Sequence, residues 1–130
     1  MPLHKLSLEL NNTLIPYDAL LLEQAIKKAV KDKTDILITT GGTGIGKRNI
    51  TVETVKGMIQ KEIPGIMEFI RMKYGVEKPA ALISRGVAGI IDDTQVYTLP
   101  GSVKAVREYM EEIQKNILHI IYMLHGIDKH

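Results

Sequence analysis

The sequence predicts a single α/β domain over residues 1–130, with a mostly parallel β-sheet and helices on both of its faces. Segments with the period of a strand alternate along the chain with segments that have the period of a helix. Several apolar runs are short and rich in β-branched residues, which is typical of parallel strands covered on both faces. A chain of 130 residues with 45% hydrophobic content is long enough to close one core.

The first half of the chain contains two predicted strands and two predicted helices. Residues 6–10 read Leu-Ser-Leu-Glu-Leu, the alternation of a strand with one buried face. Helical spacing of apolar residues predicts an amphipathic helix over 17–30, and an apolar run predicts a buried strand over 36–39. Thr51 is the expected N-cap of a helix over 52–61.

The second half predicts a similar alternation. A helix is expected over 66–74, ended by Gly75, and a buried strand over 80–83. Residues 87–91 and 95–99 suit a hairpin across 92–94, with a short crossover loop as the alternative. Ser102 is the expected N-cap of a long final helix.

Three turns are expected to share one edge of this sheet, namely 41–49, 84–86 and 100–102. Each follows a predicted strand, and ligands of such sheets bind beyond the carboxyl ends of the strands. The turns therefore mark the expected binding site.

Composition excludes several classes of function. The chain has no cysteine, which excludes disulfides and thiolate metal sites. Its net charge is +2 with interleaved signs, which argues against a nucleic-acid partner but leaves a small anionic ligand open. No apolar run approaches the roughly 20 residues of a membrane span. We therefore expect no membrane partner and a cytoplasmic location.

The stretch Thr-Thr-Gly-Gly-Thr-Gly-Ile-Gly-Lys-Arg-Asn-Ile-Thr, residues 39–51, is the most informative part of the sequence. It is not a Walker A loop, because Arg48 stands where a Ser or Thr must bind Mg²⁺. The spacing of its glycines also differs from that of a dinucleotide fingerprint. Its glycines suit a nest of inward N–H groups ahead of a helix, to which Lys47 and Arg48 add charge. The alternative is a plain strand-to-helix connection.

Several dispersed motifs resemble the molybdopterin-binding MoaB/Mog family, and their order and spacing match over about residues 10–125. The motifs are Thr40-Gly41-Gly42-Thr43-Gly44, Arg48-Asn49-Ile50-Thr51, Glu62-Ile63-Pro64-Gly65, Ser84-Arg85-Gly86, Leu99-Pro100-Gly101-Ser102 and Asn116-Ile117-Leu118-His119-Ile120. The resemblance implies a three-layer α/β fold, commonly trimeric, that binds molybdopterin in the cytoplasm. Active members of the family adenylylate molybdopterin with Mg²⁺ and ATP.

The resemblance also implies which residues bind a pterin or nucleotide ligand. Phosphates would lie against the backbone of 41–44, Ser84 and Arg85 would add side-chain contacts, and residues 100–102 would wall the pocket. The full implied set is Thr40, Gly41, Gly42, Thr43, Gly44, Lys47, Arg48, Glu62, Ser84, Arg85, Pro100, Gly101 and Ser102.

Two positions depart from the pattern of active family members and put catalysis in doubt. Asn49 stands where those members carry an Asp, and an amide oxygen is a weaker Mg²⁺ ligand than a carboxylate. Tyr17 stands where they carry an acidic residue, and Asp18 follows one position late as the best remaining candidate ligand. A catalytically silent member that binds pterin or nucleotide, or only assembles with partners, is therefore one alternative. A related domain of the competence-damage type is another.

The match to the family begins at its second strand, which would leave a seam of the sheet uncovered. Unpaired backbone groups along such a seam need cover from another segment or another chain. The sequence therefore predicts a homo-oligomer, a trimer or a hexamer.

Overall fold

A computed structural model describes residues 10–127 of the protein. In chain order the elements are α1 (Ala19–Lys31), β1 (Ile36–Thr40), α2 (Thr51–Lys56), β2 (Lys61–Glu62), α3 (Pro64–Gly75), a 3₁₀ helix (Pro79–Ile83), β3 (Ala88–Ile91), β4 (Thr94–Leu99) and α4 (Val103–Leu124). The strand predicted over 6–10 falls outside the described residues except for Leu10, which has no regular structure.

The four strands of the described chain form one sheet in the order β1-β4-β3-β2. β1 and β4 are parallel, with Leu37 opposite Val96, whereas the pairs β3–β4 and β2–β3 are antiparallel. The α/β class is confirmed, but the expectation of a mostly parallel sheet is corrected to a mixed one. The cause is the predicted hairpin, which forms across a turn in which Asp92 adopts a φ of 51°.

The buried strand predicted over 80–83 is wrong, because this segment is the 3₁₀ helix Pro79–Ile83. Leu82 and Ile83 are more than half exposed, and Leu82 packs beside Gly75 at the end of α3. Periodicity alone cannot tell a four-residue apolar strand from a helical turn, and Pro79 favours the first position of a helical turn.

Helices cover both faces of the sheet, as expected for three layers. On one face, α3 and α4 bury Met67, Tyr97 and Ile113 together. On the other face, α1 and α2 bury Ile26, Val55 and Val96. Residues that alternate along β4 therefore point into two separate cores, as the period of a strand requires.

The helix predicted over 52–61 is shorter than expected. It ends at Lys56, and Lys61 enters β2. Thr51 is the first helical residue, and Ile50 occupies the cap position without a side-chain bond. With only six residues, α2 is too short for its dipole to contribute an anion site, contrary to the expectation of a nest placed ahead of a longer helix.

The two longer amphipathic helices begin at side-chain caps. Asp18 accepts hydrogen bonds from the N–H groups of Leu20 and Leu21 at 2.9 and 3.1 Å. Ser102 accepts from Ala105 N–H at 3.1 Å, which confirms its predicted role. Among the helices of the described chain, none combines the length and hydropathy of a membrane span.

Candidate functional site

The three turns predicted to share one sheet edge do meet there. The N–H of Gly41 donates to Leu99 O at 2.8 Å, and the N–H of Arg85 donates to Thr43 O at 3.0 Å. A Cβ added to Gly101 would lie 3.5 Å from Gly41 Cα. Turn 84–86 reaches this edge because it leads into β3, which runs antiparallel to β4, and not because it ends a strand.

The glycines of loop 41–49 serve two different purposes. Gly41 and Gly42 have φ angles of 94° and 73°, which other residues rarely adopt. A Cβ on Gly42 would also lie 2.1 Å from Thr51 Oγ1. Gly44 and Gly46 instead leave room for a side chain, since Asn49 Nδ2 lies 3.3 and 2.9 Å from their ideal Cβ positions.

The backbone N–H groups of residues 42–48 have no hydrogen-bond acceptor within the described chain. The loop is fixed at its two ends by the bond from Gly41 N–H to Leu99 O and by a bond from Asn49 N–H to Gly46 O at 3.0 Å. Successive free N–H groups on a glycine-rich turn make a concave site of positive potential. Lys47 and Arg48, both exposed, add full charges at its rim.

Arg85 contacts the loop mainly through carbonyl oxygens. Its Nε and Nη2 donate to Gly44 O at 2.9 and 2.6 Å, and Nη2 also donates to Asn49 O at 3.1 Å. Nη1 forms an ion pair with Glu53. The hydrogen bond from Arg85 holds the pKa of the Glu53 carboxyl below its usual value, so this pair stays charged at neutral pH.

Hydroxyl groups connect the loop to the helical core. Tyr109, which is buried, donates to Ser84 Oγ at 3.3 Å, and Ser84 donates to Thr43 Oγ1 at 3.5 Å. The guanidinium of Arg71, on α3, donates to the carbonyls of Ser84 and Gly86 at 3.3 and 3.0 Å. The sequence carries no local signal for Arg71, Tyr109 or Glu53, because each contacts the loops only through tertiary packing.

The other predicted site residues occupy different positions. Thr40 ends β1 opposite Leu99, and Pro100 and Gly101 follow β4 at the same edge. Glu62 lies on β2 opposite Gly89, at the far side of the described sheet from β1, so it is not brought to the loop.

Acidic groups near the loop are already engaged. Asp18 caps α1, Glu53 pairs with Arg85, and the neighbouring Asn49 is neutral. Tyr17, beside Asp18, lies with its ring centroid 5.7 Å from the guanidinium carbon of Arg48. Within residues 10–127, no group of three or more His, Cys, Asp or Glu side chains is placed to hold a metal ion.

A cleft of about 390 Å³ opens beside the loop, lined by Ile45, Gly46, Lys47, Asn49, Ile50, Glu53 and Arg85. Its volume is within the usual range for sites of small molecules. Ile45 and Ile50 give it an apolar part, and Lys47 gives it a cationic one. The arrangement suits a ligand that carries an anionic group beside a part that packs on Ile45 and Ile50.

Comparison with known proteins gives consistent matches. The family model described as "Probable molybdopterin binding domain" matches residues 3–119. Molybdenum cofactor biosynthesis protein B of Staphylococcus aureus (strain MRSA252) is 38% identical over 115 residues, which is 86% of this chain and 68% of the relative. Molybdopterin adenylyltransferase of Pyrococcus furiosus is 35% identical over 123 residues, covering 92% of this chain and 73% of the relative. The crystal structure of a molybdopterin biosynthesis protein from Mycobacterium abscessus superposes with a TM-score of 0.80 at 32% identity, over 87% of this chain and 72% of that one.

Proposed function

Because the chain belongs to the MoaB/Mog family of probable molybdopterin binding domains, we propose that it binds molybdopterin and acts in molybdenum cofactor biosynthesis. The Staphylococcus relative carries the name of a protein of that pathway. The relative from Pyrococcus is named for a reaction on molybdopterin itself. Both names support the same small-molecule partner, a pterin.

One observation carries this proposal, the run of free N–H groups over residues 42–48. Molybdopterin ends in a phosphate, and backbone N–H groups that converge on a phosphate form charge-assisted hydrogen bonds without side-chain reorganisation. Such a bond contributes about 1.5–3 kcal/mol. In this proposal the phosphate occupies the loop, Lys47 and Arg48 balance its charge, and the pterin ring lies along Ile45 and Ile50.

Adenylyl transfer is a second candidate, favoured by the name of the Pyrococcus relative. In that reaction an oxygen of the pterin phosphate would bond to the α-phosphorus of ATP, and the bond from that phosphorus to the bridging oxygen would break, releasing pyrophosphate. Mg²⁺ commonly assists such steps through carboxylate ligands. Here the carboxylates of Asp18 and Glu53 are engaged elsewhere, so the residues do not fit a resident Mg²⁺.

We also propose that the protein is a homo-oligomer, a trimer or a hexamer. In the described chain, β1 pairs on one side only, with β4, and its residue Ile38 is exposed. An uncovered apolar edge strand favours association. Light scattering that gives a monomer mass would contradict this.

Isothermal titration calorimetry with molybdopterin and with inorganic pyrophosphate tests the binding proposal. We expect both compounds to bind, and Lys47→Met to lower each affinity by about 5-fold, because a contact with an exposed charge such as Lys47 contributes up to about 1 kcal/mol. Lys27→Met is the matched control, because Lys27 lies on α1 in an exposed pair with Glu23 and should leave both affinities unchanged. The binding proposal fails if neither compound produces heat.

The variant Asn49→Asp tests adenylyl transfer. A carboxylate at this position adds the charged ligand that Mg²⁺ prefers, so ATP turnover with molybdopterin should rise in the variant if the site is a weakened enzyme. The release of labelled pyrophosphate measures this ATP turnover. If neither protein turns over ATP while both retain molybdopterin, the chain is a silent binding protein.

A further inference from the structure

The contacts of Arg85 suggest a role for it that differs from ligand binding. We propose that Arg85 is a positioning residue, which shapes loop 41–49 by binding its carbonyl oxygens, and that the anion is held by the loop's N–H groups instead. The inference rests on the proposed function in one respect, since it takes the loop as the anion site.

The two carbonyls that Arg85 binds lie at either end of a six-residue turn. The guanidinium contacts Gly44 O at 2.9 and 2.6 Å and Asn49 O at 3.1 Å. A planar fork of N–H donors is suited to bridging two oxygens in this way. Arg85 therefore closes the turn at its base.

The side chain of Arg85 sets the direction of one free N–H group, that of Ile45, and its main chain sets the direction of a second, that of Gly44. In a planar trans peptide, the C=O and the N–H of the same unit point in opposite directions. Gly44 O points at the Arg85 guanidinium, so the N–H of Ile45 points away from it. Thr43 O accepts from the Arg85 main chain, so the N–H of Gly44 also points away. Both of these N–H groups are among those without an acceptor in the described chain.

Arg85 has little donor capacity left for a ligand. A guanidinium has five N–H donors, and here Nε, both hydrogens of Nη2 and one of Nη1 face Gly44, Asn49 and Glu53. Glu53 also accepts from Nη2 at 3.4 Å and neutralises the charge. A two-pronged contact between Arg85 and a phosphate would require Glu53 to leave.

Backbone ¹⁵N relaxation of the ligand-free protein tests the positioning role directly. We expect order parameters near 0.85 for residues 44–49 in the natural protein and below about 0.6 in Arg85→Lys, because an ammonium group cannot bridge both carbonyls. Lys47→Met, which removes a cation from the same loop, should leave the order parameters unchanged. Arg85→Lys with unchanged order parameters would overturn the inference.

Pyrophosphate titration of the same variants adds a second readout. Arg85→Lys should lower the affinity for pyrophosphate by 10-fold or more although it keeps the charge, since the N–H of Ile45 loses its fixed direction. Glu53→Gln keeps the guanidinium on both carbonyls and, because it removes one negative charge from the cleft wall, should raise the affinity for pyrophosphate by less than 10-fold. A gain in pyrophosphate affinity of 10-fold or more in Glu53→Gln would show that the ion pair with Glu53 prevents Arg85 from binding the anion. That result would overturn the inference.

The two measurements separate this inference from the proposed function. If the natural protein does not bind pyrophosphate, the anion site is wrong, while the relaxation data still decide whether Arg85 orders the loop.

Discussion

The β3–β4 hairpin and loop 41–49 differ in whether their polar groups are hydrogen-bonded within the protein. Every residue of β3 and β4 is buried, and the buried side chains of Gln95 and Tyr97 bond to each other at 2.6 Å. Gln95 also donates to Ile117 O at 3.1 Å, and Thr98 accepts from Val87 N–H at 2.7 Å. The loop, in contrast, has a run of N–H groups over 42–48 without an acceptor in the described chain.

The difference supports the loop as the proposed ligand site. Buried polar groups cost about 1–3 kcal/mol each when unpaired, so a hairpin out of reach of solvent must satisfy them internally. A loop at the sheet edge can leave its donors to water or to an anion. In the proposed function, the hairpin is the buried base, and the loop is the part that binds the anion.

The largest expected effect on stability and binding comes from Gly42→Ala, which places a side chain at the most constrained residue of the loop. The new Cβ would meet Thr51 Oγ1 at 2.1 Å, in a residue whose φ is 73°. Strain and overpacking together should lower the free energy of unfolding by about 3 kcal/mol and abolish pyrophosphate binding. Urea unfolding and calorimetry measure the two effects.

Gly65→Ala is the control for this substitution. Gly65 lies in the first turn of α3 with nothing within 4 Å of an added Cβ, so the change should be neutral or stabilising by up to about 1 kcal/mol. If Gly42→Ala were as harmless as Gly65→Ala, the loop would not have the conformation on which the binding site depends.

Much of this contrast can be predicted from the sequence. The glycines, the hairpin and the cap at Ser102 are local signals, and the turns they imply do meet at one edge. The family resemblance is confirmed.

The sequence does not predict the structure correctly where contacts between distant residues decide the conformation. Residues 80–83 are apolar enough for a strand, but Pro79 begins a helical turn there, and they form a 3₁₀ turn against α3. The partners of Arg85 at Gly44 and Glu53 are more than 30 residues away in the chain. No sequence pattern tells whether such an arginine faces a ligand or the backbone.

Through Tyr97, the hairpin should lower the free energy of unfolding at alkaline pH. Burial raises the pKa of Tyr97 from 10.0 to about 12. The folded state therefore holds this proton more tightly than the unfolded chain, so the stabilisation is complete below pH 10 and is lost as the pH rises to about 12. The loss is on the order of 2 kcal/mol, and urea unfolding across this pH window measures it.

Tyr97→Phe is the control, because it removes the titrating hydroxyl and should remove its share of the alkaline loss. Anion affinity of the folded protein at neutral pH should be unchanged. An alkaline loss of the same size in Tyr97→Phe would assign it to other groups.

The smallest effect is expected where the two regions join, at Ser84. Its bonds to Tyr109 and Thr43, at 3.3 and 3.5 Å, are near the upper limit for hydroxyl hydrogen bonds and therefore weak. Shorter backbone bonds, from Gly41 to Leu99 and from Arg85 to Thr43, already attach the loop to the sheet. Ser84→Ala should lower the free energy of unfolding by about 0.5–1 kcal/mol and change molybdopterin affinity by less than 3-fold. A loss of affinity of 10-fold or more with unchanged stability would instead make Ser84 a direct ligand contact, as the family resemblance implies, and would extend the binding surface from the loop's N–H groups to turn 84–86.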